Sequence, residues 1–303
     1  MNRKKAGILL VGCSFIITAI ALAAAFVLRP HAVPGKVAVI RLTGPIAFGQ
    51  ETPFFSGATT EQTLRDLERA EKDRSIKAVV LRIDSPGGSA AASQELYSQV
   101  VRLKRSGKKV VASLGDTAAS GGYYVAAACD RIVADPATVT GSIGVIAQVP
   151  NLQELYRKIG ISQQTFKSGE HKDMLSPNRP LTPEEAEIMQ GIIDDTYEQF
   201  LRAVAAGRHL PIERVRALAD GRIYTGLQAK RLGLVDAIGG ERDAVLLAAK
   251  LAGIKGEPEA IEYREVGFLD LLKGLGLWGG FSADGLEGLF AKELFPLHTV
   301  IRY

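Results

Sequence analysis

Three stretches of this chain carry residues whose types and spacing could do chemistry. Ser120 stands in Thr117-Ala118-Ala119-Ser120-Gly121-Gly122-Tyr123-Tyr124, after an apolar run at 109–115 that reads as a strand and before one at 123–128 that reads as a helix. A serine at such a turn presents its hydroxyl near a helix N-terminus, where free N–H groups and the positive dipole end favour a nucleophile. The loop Asp84-Ser85-Pro86-Gly87-Gly88 closes a second apolar run, 78–83. Its paired glycines let backbone N–H groups approach a ligand closely. The loop suits an oxyanion hole, an anion-binding turn or a plain tight turn. It lacks the Lys-Ser/Thr ending of a P-loop and the third glycine of a dinucleotide fingerprint. A serine nucleophile also needs a base. His171 and Lys172 stand side by side in Lys167-Ser168-Gly169-Glu170-His171-Lys172-Asp173. A lysine amine, with an ordinary pKa of about 10.4, serves as a base only where burial disfavours the ammonium. On the residues alone, both bases stay open.

The elements that must position these groups follow from the apolar pattern. Residues 36–42 alternate as a strand, and 61–73 read as an amphipathic helix after a Gly/Pro/Thr loop. Residues 78–83 suit a buried parallel strand and 90–104 return to helical period. Strand, helix and turn alternate again through 109–115, 121–129, 131–134 and 142–147. Such repeats predict an α/β fold around a parallel sheet with right-handed crossovers. Beyond Pro150 the pattern is mostly helical. Thr182-Pro183-Glu184-Glu185 is a helix start with threonine as N-cap and glutamate three residues on, opening a helix to about residue 206. A short helix between two extended pieces is expected over 222–236, and a longer one over 241–252. The apolar, Gly-rich tail from Val266 reads as a helix pair docked on the core.

The 303 residues carry a mild net charge of +4, scattered rather than blocked, which argues against nucleic acid as a partner. Cys13 and Cys129 give no disulfide framework, and His31, His171, His209 and His298 are too dispersed for a metal cluster. At the N-terminus, Arg3-Lys4-Lys5 precedes an uncharged run, 6–28, closed by Arg29-Pro30. At about 1.5 Å per residue this run crosses a hydrocarbon core of roughly 30 Å. Its positive flank places the N-terminus in the cytoplasm and the bulk of the chain outside. Ala23-Ala24-Ala25 offers a signal-peptidase exit and Leu10-Val11-Gly12-Cys13 a lipoprotein-like one, but an uncleaved anchor is the expectation.

Ser-Pro-Gly-Gly at 85–88, Ala-Ala-Ser-Gly-Gly-Tyr-Tyr at 118–124, Thr-Gly-Ser-Ile-Gly-Val at 140–145 and Lys-Ser-Gly-Glu-His-Lys-Asp at 167–173 occur in that order. Together they resemble the signal peptide peptidases of the SppA type, in the short form with one catalytic domain, from the anchor to about residue 245. The resemblance implies a ClpP/crotonase-like fold of repeated β-β-α units over 36–263. Before it would come a cytoplasmic stretch 1–5, the transmembrane helix 6–28 and a linker 29–35; after it comes a tail, 264–303, to which nothing is transferred. It further implies a Ser-Lys endopeptidase with Ser120 as nucleophile, Lys172 as general base and Ser142 positioning Lys172. Gly87 would donate to the oxyanion, with Gly88 and Gly121 beside it. No cofactor or metal is implied. The implied substrates are remnant signal peptides, apolar and extended, at a bacterial cell membrane. The implied assembly is a ring-shaped homo-oligomer whose dyad is shared between adjacent protomers. Two other readings keep the fold: an acyl-CoA-type enzyme that holds a thioester enolate on the loop amides, and a membrane scaffold without catalysis.

Overall fold

Runs of β-branched and aliphatic residues become strands shielded on both faces, and the helices between them supply the shields. The computed structural model describes residues 35–49, 60–266 and 297–302. In chain order the elements are β1 (Lys36–Thr43), α1 (Thr60–Lys72), β2 (Ile76–Ser85), α2 (Ala90–Arg105), β3 (Lys109–Ala119), α3 (Gly121–Ala127), β4 (Arg131–Ala134) and β5 (Val139–Gly141). Then come α4 (Gln153–Lys158), α5 (Pro183–Arg208), α6 (Ile212–Leu218), β6 (Ile223–Thr225), α7 (Gly226–Leu232), β7 (Ala237–Ile238), α8 (Glu241–Leu251), β8 (Glu259–Val266) and β9 (Leu297–Arg302).

The sheet runs β6-β5-β3-β2-β1-β8-β9, with β4 against β3 and β7 against β4. Pairing is parallel except for β5 with β6 and β8 with β9. This mixed α/β arrangement around one sheet agrees with the expected fold class. Strand β3 is the pivot. Beyond its β2 neighbour it pairs with β4 over Val111–Leu114 and then with β5 over Thr117–Ala119. The change of partner lets β3 run past the main ladder and deliver its last residues to a second edge.

Alternation along the strands sorts side chains into two cores. Ala38, Ile40 and Leu42 of β1, Val79, Leu81 and Ile83 of β2, and Val110, Ala112 and Leu114 of β3 meet Leu67, Leu96, Val100, Leu103 and Tyr123 from the helices. Val37, Val39, Ala78, Val80, Val111 and Val133 face the other way, onto Ala244, Ala248 and Ala249 of α8. Each valine, leucine or isoleucine withdrawn from water here contributes roughly 1.5–3 kcal/mol. Tyr123 brings the one polar atom of its ring to a partner, donating to the Leu234 carbonyl at 2.9 Å.

Helix α5 begins as its sequence predicts: Glu185 N–H donates to Thr182 Oγ1 while the Glu185 carboxylate accepts from Thr182 N–H. Two expectations fail. Residues 142–147 join no strand, because Gly141 and Ser142 both have positive φ (82° and 49°), which turns the chain out of the ladder. The tail is not a helix pair throughout: Leu297–Arg302 is a strand antiparallel to β8. The anchor 6–28 lies outside the described residues. Among the described residues no helix is long and apolar enough to cross a membrane.

Candidate active site

Ser120 follows the last residue of β3. Ala119 pairs with Gly141 of β5, and Ser120 N–H donates to the Gly141 carbonyl at 2.9 Å. The backbone there has φ +51° and ψ −121°, a conformation an L-residue adopts at a cost of about 1–3 kcal/mol. Helix α3 starts at once, with Tyr124 N–H on the Ser120 carbonyl, and every residue of α3 is buried. Buried packing therefore holds the strained turn. The Ser120 hydroxyl makes no capping bond.

The 84–88 loop is pressed against this turn from the β2 side. A Cβ on Gly87 would stand 2.6 Å from Gly121 N and 2.8 Å from Ser120 Cβ; one on Gly88 would stand 2.2 Å from the Ile46 carbonyl oxygen. Ile46 grips the loop from outside: its N–H donates to Gly87 O at 2.9 Å, and its carbonyl accepts from Ser89 N–H at 2.7 Å. Asp84 ties β2 to β3 by accepting from Thr117 N–H.

The amides of the loop are not equivalent. Gly87 N–H donates to Ser85 Oγ at 3.1 Å and is spent there. Gly88 N–H and Gly121 N–H have no hydrogen-bond partner among the described residues. Gly88 N lies 3.4 Å from where a Cβ on Gly121 would sit, so the two free donors share one small volume. The hydrogen bonding thus favours Gly88 with Gly121 over Gly87. Ser85 was the overlooked signal, since a serine two residues before a glycine can capture its N–H in a local turn. Ile46, a lone aliphatic in a Gly/Pro-rich loop, carried none.

These groups open into a cleft of about 570 Å³ lined by Ala91, Gln94, Tyr124, Val145, Ile146 and Phe200, among others. The Tyr124 hydroxyl donates to Gln94 Oε1, and Gln94 Nε2 donates to Ser98 Oγ. Phe200 meets the Tyr124 ring edge-on at 5.0 Å. Burial pushes the Tyr124 phenol up to about 12, so it stays a neutral donor. With these polar atoms satisfied internally, the Tyr124 and Phe200 side presents carbon, while Ser89, Ser93, Thr196 and Gln199 give the rest of the lining polar groups. Cys129 is no rival nucleophile: burial pushes its thiol up to about 12, far from any thiolate at neutral pH.

Ser142 follows the residue that accepts Ser120 N–H, and its own N–H donates to Arg222 O at 2.8 Å. Ser120, Ser142, Gly87, Gly88 and Gly121 are therefore gathered. Lys172 and His171 are not. Lys172 is exposed on a turn, its N–H donating to Gly169 O at 3.2 Å, and it does not line the cleft. The His171 ring lies 3.7 Å from Glu184 and 4.0 Å from Glu185, in the first turn of α5. The cleft lies further along that same helix: at about 1.5 Å per residue, Thr196 is about 16 Å and Phe200 about 22 Å from Glu185.

Residues 102–255 match the description of peptidase family S49. The chain belongs to peptidase family S49. A Synechocystis sp. protein provisionally named a protease is 47% identical over 227 residues, 75% of this chain and 77% of that one. An Enterococcus faecium protein provisionally named signal peptide peptidase SppA is 36% identical over 266 residues, 85% of this chain and 77% of that one. Protease 4 of Salmonella typhi is 39% identical over 222 residues, covering 73% of this chain and 35% of that longer protein. The chain is thus an SppA-type serine peptidase. Its S49 segment begins in the last turn of α2, so it contains Ser120, Ser142 and Lys172 while the 84–88 loop precedes it.

Proposed function

We propose that this S49 peptidase cleaves apolar, extended peptides, remnant signal peptides above all, by a Ser120–Lys172 dyad completed between two copies of the chain. The observation that carries the reading is Ser120 at a strained strand-to-helix turn, its hydroxyl uncommitted, beside the free Gly88 and Gly121 amides. In this mechanism neutral Lys172 Nζ of one protomer takes the proton from Ser120 Oγ of its neighbour as Oγ attacks a peptide carbonyl. Gly88 and Gly121 N–H hold the oxyanion; donors fixed in place before reaction are worth several kcal/mol in the transition state. The ammonium returns the proton to the leaving amine as the C–N bond breaks, leaving an acyl-enzyme. A water then attacks, Lys172 takes its proton, and the acid product leaves as the proton returns to Oγ.

The Tyr124 and Phe200 side of the cleft suits an apolar side chain next to the scissile bond. The irregular segment from Ser142 to Pro150 suits an added peptide strand. The separation of Lys172 from the cleft supports a base supplied by a second copy. So do exposed apolar side chains in the preceding stretch of chain, Ile159 at 58% and Phe166 at 89% exposure, together with Ile146 at 78% in the cleft lining. Docking there would take the lysine out of water, which disfavours its charged form. Residues 6–28 would tether the peptidase in the cell membrane with Arg3, Lys4 and Lys5 inside, raising its effective concentration on membrane-embedded peptides.

The test is complementation. Ser120→Ala and Lys172→Ala are each expected to be inactive on a signal-peptide substrate, and a mixture reassembled from both should recover part of the activity. Recovery requires one protomer's serine to meet another's lysine. Assembled mixtures that stay inactive would reject sharing, and an active Lys172→Ala would reject the base. A fluorophosphonate that fails to label wild-type Ser120 would return the site to the thioester or scaffold readings.

A further inference from the structure

Arg179 is the most heavily engaged side chain near Lys172. Its Nη2 and Nε donate to Asp173 at 2.8 and 3.2 Å, and its Nη2 and Nη1 to both Glu185 oxygens at 2.6 and 2.7 Å. A further bond from Nη1 reaches Pro180 O at 3.0 Å. Asp173 adjoins Lys172 in the chain and also accepts from Lys167 Nζ at 2.7 Å. Glu185 is 2% exposed and belongs to the capping box of α5. One planar guanidinium thus bolts the 167–180 turn to the first turn of α5, in the fork geometry that lysine cannot reproduce. Leu152 N–H also donates to Pro177 O at 2.6 Å and the His171 ring lies beside Glu184 and Glu185, but only Arg179 joins two carboxylates across the turn, and α4, the helix before it, has no buried residue.

We propose that Arg179 is a positioning residue for the peptidase reaction. By fixing Asp173 to Glu185 it sets where Lys172 projects, and so where the amine meets Ser120 of a neighbouring copy. The inference rests on Lys172 being the base. A base arriving in trans has no packing of its own in the receiving cleft, so its mount must supply the accuracy. A misplacement of about 1 Å in a reacting group can cost about 100-fold in rate.

The experiment compares wild type, Arg179→Met, Arg179→Lys, Asp173→Asn and Lys172→Ala in assembled enzyme. It measures kcat and KM across pH on one peptide and oligomer mass by light scattering. Arg179→Met should assemble, keep KM and lose about 100-fold in kcat. Arg179→Lys should recover part of that loss. Should Arg179→Met fail to assemble, Asp173→Asn decides, because it removes the charge at the Asp173 end of the clamp while leaving the Arg179–Glu185 pair and the helix cap intact. A wild-type kcat in Arg179→Met, or in Asp173→Asn where that variant decides, overturns the inference; so does a loss that resides in KM. An active Lys172→Ala removes the base and this inference with it. An inactive Lys172→Ala beside a fully active Arg179→Met removes the inference alone.

Discussion

The sheet body and the arm that follows Gly141 treat the same kinds of side chain in opposite ways. In β2, Val79, Val80, Leu81 and Ile83 are fully buried, whereas in the arm Leu155 is 51%, Ile161 52% and Phe166 89% exposed. The hydrophobic effect is no weaker in one than in the other. The body satisfies it within one chain, and the arm leaves apolar surface of the kind that marks a contact site. Chemistry is divided along the same line. The proposed nucleophile Ser120 and donor Gly121 stand at the end of β3 and the start of the wholly buried α3, while the proposed base stands on an exposed turn held by ion pairs.

Two substitutions on the body side should have the largest effects. Ser120→Ala should lower turnover by as much as about 10⁶-fold, the scale seen when a serine peptidase loses its nucleophile, while leaving oligomer mass and Tm near wild type. Appreciable residual turnover would remove Ser120 from the chemistry. Gly88→Ala comes next. Its Cβ would meet the Ile46 carbonyl at 2.2 Å and its φ is +156°, so the loop must shift and displace a donor. Loss of one oxyanion donor costs about 10²–10³-fold in kcat, and a Gly88→Ala enzyme with normal kcat would return the role to another amide.

A third pair of variants measures the contrast itself. Leu96 is fully buried in the body, and Leu96→Ala should destabilise by about 2–5 kcal/mol, read as a fall in denaturation midpoint. Ile159→Asp changes a side chain 58% exposed in the arm, and a surface change of this kind is worth about 0.5 kcal/mol or less in the isolated protomer. It should nevertheless lower oligomer mass and peptidase activity together. An Ile159→Asp enzyme that assembles and cleaves normally would show the arm's apolar face to have no partner.

What could be read from the sequence follows the same division. Uninterrupted apolar runs marked β2 and β3, and the Thr182 to Glu185 spacing marked the head of α5, because each is a local pattern with one dominant physical cause. Ser120 was legible for the same reason, as a small hydroxyl residue between a strand and a helix. The extension of β3 through Asp116 to Ala119 was hidden, since the apolar run stops at Gly115 and only pairing with β5 from Thr117 onward carries the strand further. The choice of donor among Gly87, Gly88 and Gly121 depended on a hydrogen bond from Gly87 to Ser85 and on three positions in space. The distance of Lys172 from the cleft was invisible as well: the motif names the residue, but only the length of α5 separates the two.

The smallest expected effect contrasts the ion pairs of the two regions. In the body, Arg208, 6% exposed, donates to Asp236, which also accepts from Ile132 N–H. Burial pushes the Asp236 carboxyl up, but the Arg208 guanidinium outweighs it and holds the group below its ordinary value. In the arm, hydrogen bonds from Arg179, then from Lys167, hold the Asp173 carboxyl well below the usual range, and Arg179 with Thr182 N–H does the same for Glu185. A carboxyl with a depressed folded pKa gives stability that is full above its ordinary value, about 4, and fades as pH falls through the lowered one. Both pairs should therefore persist from neutral pH down to about 4. Salt should separate them, because the guanidinium is 28% exposed in Arg179 against 6% in Arg208. At 1 M salt and pH 7, hydrogen exchange at the Lys172 and Met174 amides, bonded to Gly169 and His171 carbonyls, should quicken while Ile132 stays protected. Equal responses at the two sites would mean that the arm is held as firmly as the body, and the division of labour between them would fail.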